Sequence, residues 1–257
     1  MTDRQGAPPD VDALCARLFP PRLAGAESVL LVHSAFGGLS RAGLRAESFC
    51  SALIGALRGG TLLMPTMTWR TVTPREPVFD EMRTASHTGI LTEVFRTGFA
   101  GHRSLHPTHS VAGRGPLAGR LLASHHLGDT PCPATSPYGL MRGHDAHILL
   151  LGVGLECCTA IHHAEELTAP DLYLVPAGEA EDYTLIARDG GRHAVRLRRH
   201  RRLDRDFPKF TAELRRSPGY AEGTECATPW MRFALDDLYR LVFAHLVSNP
   251  RATLRDA

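Results

Sequence analysis

Two residues three positions apart, His162 and Glu165, are the strongest candidates for chemistry in the chain. Side chains at positions i and i+3 lie on one face of a helix, so a helix here would place the carboxylate beside the imidazole. Such a carboxylate fixes the tautomer of the imidazole and raises its basicity, which suits a general base. The spacing alone fits an ion pair on a helix surface equally well, so the surrounding elements have to decide.

Two further segments offer polar groups. Residues 106–110 read HPTHS, and the histidine before proline is held in extended backbone, although a surface loop is the simpler interpretation. Residues 33–38 read HSAFGG, and a turn of small residues lets backbone N–H groups approach a phosphate. That turn matches neither a Walker loop nor a dinucleotide-binding fingerprint, so its signal is weak by itself.

The histidines also allow a metal-dependent amidohydrolase as an alternative. The side chains that could act as ligands are His106, His109, His162, His163 and Glu165. However, H-x-x-E lacks the H-E-x-x-H spacing of a zinc hydrolase helix. The six cysteines include no C-x-x-C pair that would indicate a structural zinc site. We therefore expect no bound metal.

The hydropathy pattern predicts an α/β fold that would position these residues. Apolar runs without alternation at residues 27–33, 61–64 and 148–153 are typical of strands buried on both faces of a parallel sheet. Helices are expected at residues 44–57, 89–97, 117–122, 159–168, 207–216 and 236–247. Asp189-Gly190-Gly191 lies between two short strand-like segments and indicates a hairpin. Residues 66–86 are rich in turn formers and are expected to be a surface loop.

The expected architecture is one α/β domain with a mixed central sheet, flanking helices, and an antiparallel hairpin in the C-terminal half. The second half of the chain is expected to supply the antiparallel strands. In open α/β sheets, ligands bind at the carboxyl ends of the strands. The strand at residues 148–153 leads into the helix with His162, and the turn at residues 33–38 follows another buried strand. Both candidates are therefore expected at the same edge of the sheet.

Composition excludes several classes of protein. The chain has 257 residues, of which 43% are hydrophobic and 22% charged, and these values exclude wholesale disorder. A net charge of +2 argues against a dedicated nucleic-acid binder. No apolar run reaches the ~18 residues of a membrane span. Residues 1–10 lack the basic start and apolar core of a signal peptide, so we expect a cytoplasmic protein.

Charge is concentrated in residues 192–205, which hold seven arginines and two histidines. A solvated hairpin with its exit loop is the simpler interpretation, and a patch that binds an anion or RNA is the alternative. The stretch contains no aromatic residue, so stacking on bases is not supported.

In their order along the chain, the motifs resemble the aminoglycoside 3-N-acetyltransferase family. The resemblance covers roughly residues 26–254 of a single domain at 1–257, with residues 1–25 as a lead-in. The matching motifs are LVHS at 31–34, GTLLMPT at 60–66, FRT at 95–97, RSLHPTHSV at 103–111, SP at 136–137, LLLGVG at 149–154, TAIHHAE at 159–165 and NP at 249–250. The ordered set is far more specific than any one motif.

The resemblance implies an enzyme that moves an acetyl group from acetyl-CoA to an amine by direct transfer, without a metal. His162 is then the general base, Glu165 orients it, and His106 lies beside the active centre. The residues that would contact CoA are His33, Ser34, Ala35, Phe36, Ser110 and Ser136. The residues that would contact the acceptor are Glu156, Thr159 and Glu166.

The acceptor would be a small-molecule amine of an aminoglycoside or a related amino sugar or natural product, with no nucleic-acid or membrane partner. An aminoglycoside is a polycation that needs several carboxylates. The candidates are Glu76, Asp80, Glu81, Glu93, Glu156 and Glu166. A different biosynthetic amine, another acyl-CoA or an acyl-carrier protein stay open as alternatives. A homodimer and a contact between the arginines of residues 192–205 and the 3′-phosphate of CoA are also left open.

Overall fold

The structure is a computed structural model that describes residues 9–255. The described residues form the strands β1 (Ser28–Ser34), β2 (Thr61–Pro65), β3 (Val78–Asp80), β4 (His102–Arg103), β5 (Val111–Arg114), β6 (Asp145–Leu151), β7 (Glu181–Ile186), β8 (Arg192–Leu197), β9 (Ala221–Glu225) and β10 (Thr228–Ala234). Their helices are α1 (Val11–Leu18), α2 (Gly37–Arg41), α3 (Ala46–Ala56), α4 (Ile90–Gly98), α5 (Ala118–Leu122), α6 (Pro137–Leu140), α7 (Ala160–Thr168), α8 (Pro170–Tyr173), α9 (Thr211–Leu214) and α10 (Leu235–Ser248). Short 3-10 turns occur at Pro21–Leu23, His125–Leu127, Leu155–Cys157, Ala177–Glu179 and Phe207–Phe210.

The centre of the molecule is a seven-stranded sheet with the strand order β4-β5-β2-β1-β6-β10-β9. Strand β1 pairs in parallel with both β2 and β6. These are the three apolar runs of the sequence, and they are buried because both faces of the sheet are covered. Ile148 and Leu150 of β6 pack with α7 and α10 on one face, whereas Leu149 and Leu151 pack with α1 and α3 on the other. The predicted mixed α/β fold is confirmed.

The antiparallel strands lie at both ends of this sheet, which corrects the expectation that they come from the second half alone. Strand β5, in the first half, pairs antiparallel to β2 on one side and to the edge strand β4 on the other. At the other end, β10 pairs antiparallel to β6 and β9. The turn between β9 and β10 is formed by Cys226 and Ala227, at φ 49° and 59°. Positive φ is rare for such residues, and hairpin turns usually place glycine or asparagine there. The sequence therefore contains no indication of this turn.

A smaller three-stranded sheet holds the hairpin that the sequence predicted. Strands β7 and β8 pair antiparallel around the turn at residues 187–191, where the N–H of Gly191 donates to the side chain of Asp189 at 2.9 Å. Strand β3 pairs in parallel with β7. The expectation of a surface loop at residues 66–86 is therefore wrong at β3, where Phe79 is buried against Tyr183 and Leu185.

The predicted helices are largely observed, with differences at their ends. Helix α10 begins at Leu235, one residue before the expected start, and Ala234 is at its N-cap. The expected helix at residues 207–216 is a 3-10 turn followed by α9. Helix α2 was not predicted, and Gly43 at φ 88° separates it from α3. No helix within residues 9–255 combines the length and the apolar character needed to cross a membrane.

The carboxyl ends of β1 and β6 lie side by side and support the candidate site. The N–H of Ala35 donates to the carbonyl of Leu151 at 2.8 Å, which ties the turn after β1 to the end of β6. From there, the 3-10 turn Leu155–Cys157 leads into α7. Helix α7 is therefore anchored with its N-terminal end at this edge of the sheet.

Candidate active site

A cavity of about 460 Å³ opens at the carboxyl ends of β1, β2 and β6. Ligand sites in open α/β sheets occur at this edge. Its walls come from these three strand ends, from the start of α7, and from the loops before β3, α4 and β5. The lining residues are Val32, His33, Ser34, Pro65, Met67, Trp69, His87, Thr88, Thr92, His109, Val153, Glu156, Cys157, Thr159 and His162.

His162 and Glu165 form a hydrogen-bonded pair on α7. The i,i+3 spacing brings Nδ1 of His162 within 2.7 Å of Oε2 of Glu165. The side chain of His162 is 19% exposed and lines the cavity, whereas that of Glu165 is fully buried. Because Nδ1 donates to the carboxylate, Nε2 is the ring atom left to take a proton from a molecule in the cavity.

The Glu165 carboxylate is held in its ionised form from behind. Arg205 Nε lies 3.0 Å from each carboxylate oxygen, and Thr253 Oγ1 donates to Oε1 at 2.6 Å. Burial opposes ionisation, but His162, Arg205 and Thr253 together outweigh it and lower the pKa of Glu165 below its usual value. The imidazole therefore faces a fixed negative charge on the side away from the cavity.

The next residue, Glu166, is enclosed by donors and does not line the cavity. Its Oε1 accepts from Cys132 N at 2.8 Å and from His200 Nε2 at 2.6 Å, and its Oε2 accepts from Thr130 Oγ1 at 2.5 Å. Burial raises the pKa of this carboxyl to about 7. Burial also holds the pKa of His200 well below its usual value. The His162 ring packs 4.4 Å from this neutral imidazole.

His106 is buried and holds the loop that carries His109 into the cavity wall. Its Nδ1 accepts from the backbone N–H of Thr108 at 3.2 Å and of His109 at 2.8 Å, and its Nε2 donates to Thr130 O at 3.3 Å. Burial keeps its pKa well below the usual value. The structure thus brings His109, rather than His106, to the cavity. Both histidines belong to one sequence motif, so the motif itself could have indicated His109 as a cavity residue.

Ser110 and Ser136 are also buried outside the cavity wall. Ser110 Oγ donates to Thr66 O at 2.8 Å and accepts from Arg103 Nε at 3.1 Å. Ser136 Oγ donates to Pro133 O at 2.6 Å and accepts from the N–H of Gly139 in the first turn of α6. Both hydroxyls therefore organise backbone near the site.

Some residues of the turn after β1 line the cavity and others lie next to it. His33 and Ser34 line the cavity, Ala35 is exposed beside it, and Phe36 is buried against Phe49 with ring centroids 5.4 Å apart. Burial lowers the pKa of His33 to about 4, so this imidazole is neutral. Its Nε2 atom has no hydrogen-bond partner among the described residues.

The two remaining acceptor candidates from the sequence, Glu156 and Thr159, line the cavity. Thr159 is at the N-cap position of α7, where it makes no side-chain capping bond, and is nearly buried. Glu156 is exposed, and its Oε1 accepts from the N–H of Gly154 at 2.8 Å. Neither is engaged by a charged partner within residues 9–255.

The basic stretch supplies two residues that sequence reasoning missed, His200 and Arg205. Its strand part, β8, is largely exposed, as a solvated hairpin would be. Beyond β8, Arg199 pairs with Glu181 at 2.8 Å, and Arg198 and Arg201 donate to backbone carbonyls. The consecutive glutamates Glu165 and Glu166 could have indicated them, because two buried carboxylates need hydrogen-bond donors from elsewhere in the chain.

A group of side chains close enough to hold a metal ion lies at a different place from the one that the sequence suggested. Within residues 9–255, the side chains close enough to share an ion are Cys132, Glu166 and His200, whose ligand atoms lie within 4.8 Å of one another. Burial raises the pKa of the Cys132 thiol well above its usual value, and Glu166 already accepts three hydrogen bonds. None of the three side chains lines the cavity, so the cluster does not match a hydrolytic centre that keeps a position open to water and substrate.

Comparison with known proteins decides the family. The family model described as aminoglycoside 3-N-acetyltransferase matches residues 31–246, which is most of the chain. The chain belongs to the aminoglycoside 3-N-acetyltransferase family. The match includes the whole cavity wall and the His162–Glu165 pair.

Individual family members are similar over part of their length. The chain is 28% identical to aminoglycoside N(3)-acetyltransferase III of Serratia marcescens, over 54% of this chain and 58% of the relative. It is 35% identical to aminoglycoside N(3)-acetyltransferase IV of a Salmonella species, over 58% of this chain and 55% of the relative. The chain therefore spans about half the length of the curated relatives that it matches.

Solved structures of the family agree over nearly the whole fold. A variant of aminoglycoside acetyltransferase AAC(3)-IVa in complex with gentamicin superposes with a TM-score of 0.75 at 25% identity, covering 94% of this chain and 91% of that one. An AAC-IIIb structure binary with CoASH has a TM-score of 0.74 at 22% identity, covering 97% and 99%. At 22% identity, the similarity to the AAC-IIIb structure shows a shared fold.

Proposed function

We propose that this protein transfers the acetyl group of acetyl-CoA to an amino group of an aminoglycoside, with His162 as the general base. The observation that carries the proposal is the position of His162, which lines the cavity and donates through Nδ1 to a buried carboxylate. Family membership supports the choice of donor and acceptor. One relative of the same fold was solved with gentamicin and another with CoASH.

The chemistry follows from the two ends of the imidazole. Nε2 of His162 takes a proton from the ammonium of the acceptor, because only the neutral amine can attack the thioester carbonyl. Glu165 stabilises the imidazolium while the new C–N bond forms. The attacking nitrogen still carries an extra proton in the tetrahedral intermediate. As the C–S bond breaks, this proton leaves the nitrogen to give the neutral amide, the departing thiolate is protonated to free CoA as a thiol, and the imidazolium releases its own proton to solvent.

Direct transfer without an acetyl-enzyme is the form of the reaction that the side chains support best. Cys157 is the thiol in the cavity wall. Burial and the charge of Glu156 raise its pKa, so it is a poor nucleophile at neutral pH. Intact-mass analysis after mixing with acetyl-CoA alone is expected to show unmodified protein.

We assign the CoA donor to the turn at residues 33–36 and the acceptor to the wall with Glu156 and Thr159. Ala35 is exposed and Ser34 is partly exposed, so backbone N–H groups in this turn are open to a phosphate or to the thioester oxygen. His106, Ser110 and Ser136 act through the backbone that they hold. Family membership leads us to propose acetyl-CoA as the co-substrate. Direct acetylation of an amine by a thioester requires no metal, so the proposal includes none.

The test is thiol release from acetyl-CoA with and without an aminoglycoside, together with the mass of the product. The proposal predicts release that depends on the acceptor and a product heavier by one acetyl group. Binding of acetyl-CoA without acetylation of any aminoglycoside would contradict it. His102→Gln is a suitable control variant, since His102 is exposed on β4 and does not line the cavity.

A further inference from the structure

The acceptor side of the cavity carries little negative charge. Among the described residues that line it, Glu156 is the one carboxylate. An ammonium that leaves water needs a counter-charge or hydrogen-bond acceptors in its place. The number of ammonium groups that this cavity can accommodate is therefore set by very few side chains.

Two glutamates near the cavity are committed to arginines. Glu81 accepts from the backbone N–H of Arg188 at 2.9 Å and from its Nε at 3.3 Å. Glu93 accepts from Arg96 at 2.6 and 2.8 Å and from the N–H of Ser86 at 2.9 Å. These carboxylates are neutralised inside the protein and add no net charge to the acceptor site.

The other acidic candidates are also used elsewhere. Asp80 accepts from the N–H groups of Met82 and Arg83, both at 2.9 Å, and so closes a turn. Glu166 is enclosed by three internal donors. Glu76 lies on a separate surface depression next to Val78. None of the three is part of the cavity wall.

The remaining wall is neutral or apolar. Burial keeps the pKa of His33 at about 4 and that of His109 well below its usual value. Burial and the nearby charge of Arg70 lower the pKa of His87. Trp69 packs edge-on against His87 with centroids 4.6 Å apart, and Met67 adds apolar surface. Neutral imidazoles and an indole suit hydroxyl groups and the apolar faces of sugar rings.

A fixed positive charge stands at the rim of the same wall. The guanidinium of Arg70 lies 4.9 Å from the ring centroid of Trp69, and both side chains are exposed. A polyamine that lies across Trp69 would meet this cation at short range, so like-charge repulsion would weaken its binding.

We propose that, within one aminoglycoside scaffold, the site favours the acceptor with fewer amino groups, because Glu156 is the one carboxylate in the described part of the wall that can hold an ammonium besides the reacting amine. A diaminocyclitol with hydroxylated sugars fits this description, whereas acceptors rich in amines do not. The inference rests on the proposed acetyl transfer and narrows its substrate class.

The test compares acceptors that differ only by a hydroxyl group in place of an amino group, such as kanamycin A with kanamycin B and paromomycin with neomycin. Turnover is measured at one pH and one ionic strength, and the products are checked by mass. We expect kcat/KM to be about tenfold higher for the hydroxyl member of each pair, the size of one modestly uncompensated charge.

A gain-of-function variant tests the cause. Neither ring nitrogen of His87 has a hydrogen-bond partner among the described residues, so replacing it breaks no hydrogen bond there. His87→Glu is expected to raise kcat/KM for the amine-rich member of each pair by about tenfold relative to kcat/KM for the hydroxyl member. His87→Gln, of the same size but neutral, is expected to leave the ratio unchanged.

The results also separate this inference from the proposed function. Equal or faster turnover of the amine-rich acceptors by the native protein would overturn the preference while leaving acetyl transfer intact. If the ratio of kcat/KM between the two members of a pair is the same in His87→Glu and His87→Gln, the electrostatic cause is overturned. Absence of transfer to every acceptor, with acetyl-CoA bound in a calorimetric titration, would remove the proposed function and this inference together.

Discussion

Nδ1 of His162 lies 2.7 Å from Oε2 of Glu165, and Glu165 is separated from solvent by Arg205 and Thr253. The carboxylate therefore has one partner that reaches the cavity, namely the imidazole. In the reaction that we propose, a proton taken from a bound amine would rest on that imidazole, with a buried negative charge directly behind it. This arrangement would make His162 a base that is both oriented and electrostatically supported.

Removing the charge of Glu165 is expected to change the pH dependence of turnover. In Glu165→Gln, the imidazolium loses its anionic partner, so the neutral base persists to lower pH. The acidic limb of the pH–rate profile should therefore move to lower pH. Turnover at neutral pH should fall about tenfold, less than on loss of the imidazole itself. A limb that stays in place, with turnover unchanged, would show that Glu165 does not act through His162.

The stability of Glu165→Gln should depend on pH in a defined direction. The pKa of Glu165 is lowered from 4.5, so its carboxylate stabilises the fold above that pH, and this contribution is lost as the pH falls through the lower folded value. At pH 7 the variant leaves Arg205 without its buried partner, which should lower the free energy of unfolding by about 3–5 kcal/mol. Urea unfolding should show this deficit shrinking below pH 4.5.

The matched variant Glu166→Gln should behave in the opposite way. The pKa of Glu166 is raised from 4.5 to about 7, so the protonated form stabilises the fold at low pH, and that stability is lost as the pH rises through about 7. Relative to the native protein, the glutamine variant should become more stable between pH 5 and pH 8. Parallel pH dependences for the two variants would contradict the different environments assigned to these adjacent glutamates.

The turn that we assign to the CoA donor can be displaced through Gly152. This glycine has φ +70°, and a Cβ there would lie 2.6 Å from the carbonyl oxygen of Ala35. Gly152→Ala should therefore push the turn at residues 33–36 out of place and raise the KM for acetyl-CoA about tenfold, with a smaller change in kcat.

The control is Gly178→Ala, because a Cβ at Gly178 meets nothing within 4 Å. Steady-state kinetics with varied acetyl-CoA measure both variants, and thermal unfolding verifies that each is folded. An unchanged KM in a folded Gly152→Ala protein would argue against a donor site in this turn.

The parts of the fold that the sequence predicts are those with a strong local signal. The three parallel strands are unbroken apolar runs, and the β7–β8 hairpin has an Asp-Gly-Gly turn. Strands β3 and β4 have three and two residues, too short for a hydropathy pattern. The β9–β10 hairpin turns at Cys226 and Ala227, residues that carry no turn signal.

The candidate site divides in the same way. The His162–Glu165 pair follows from helix geometry within one turn. His200 and Arg205 lie 34 and 40 positions from the glutamates that they contact, and only the packing of the chain brings them inward. The sequence offered six carboxylates for a polycation, whereas their hydrogen bonds decide that Glu156 alone among them lines the cavity.

The central claim, that His162 takes the proton of the acceptor, is tested most directly by His162→Ala. Thiol release from acetyl-CoA with a diaminocyclitol-containing aminoglycoside should fall by at least ~100-fold, the scale expected for loss of a general base. The affinity for acetyl-CoA in a calorimetric titration should be unchanged, and His102→Gln should match the native protein. Near-native turnover by a folded His162→Ala protein would contradict the account.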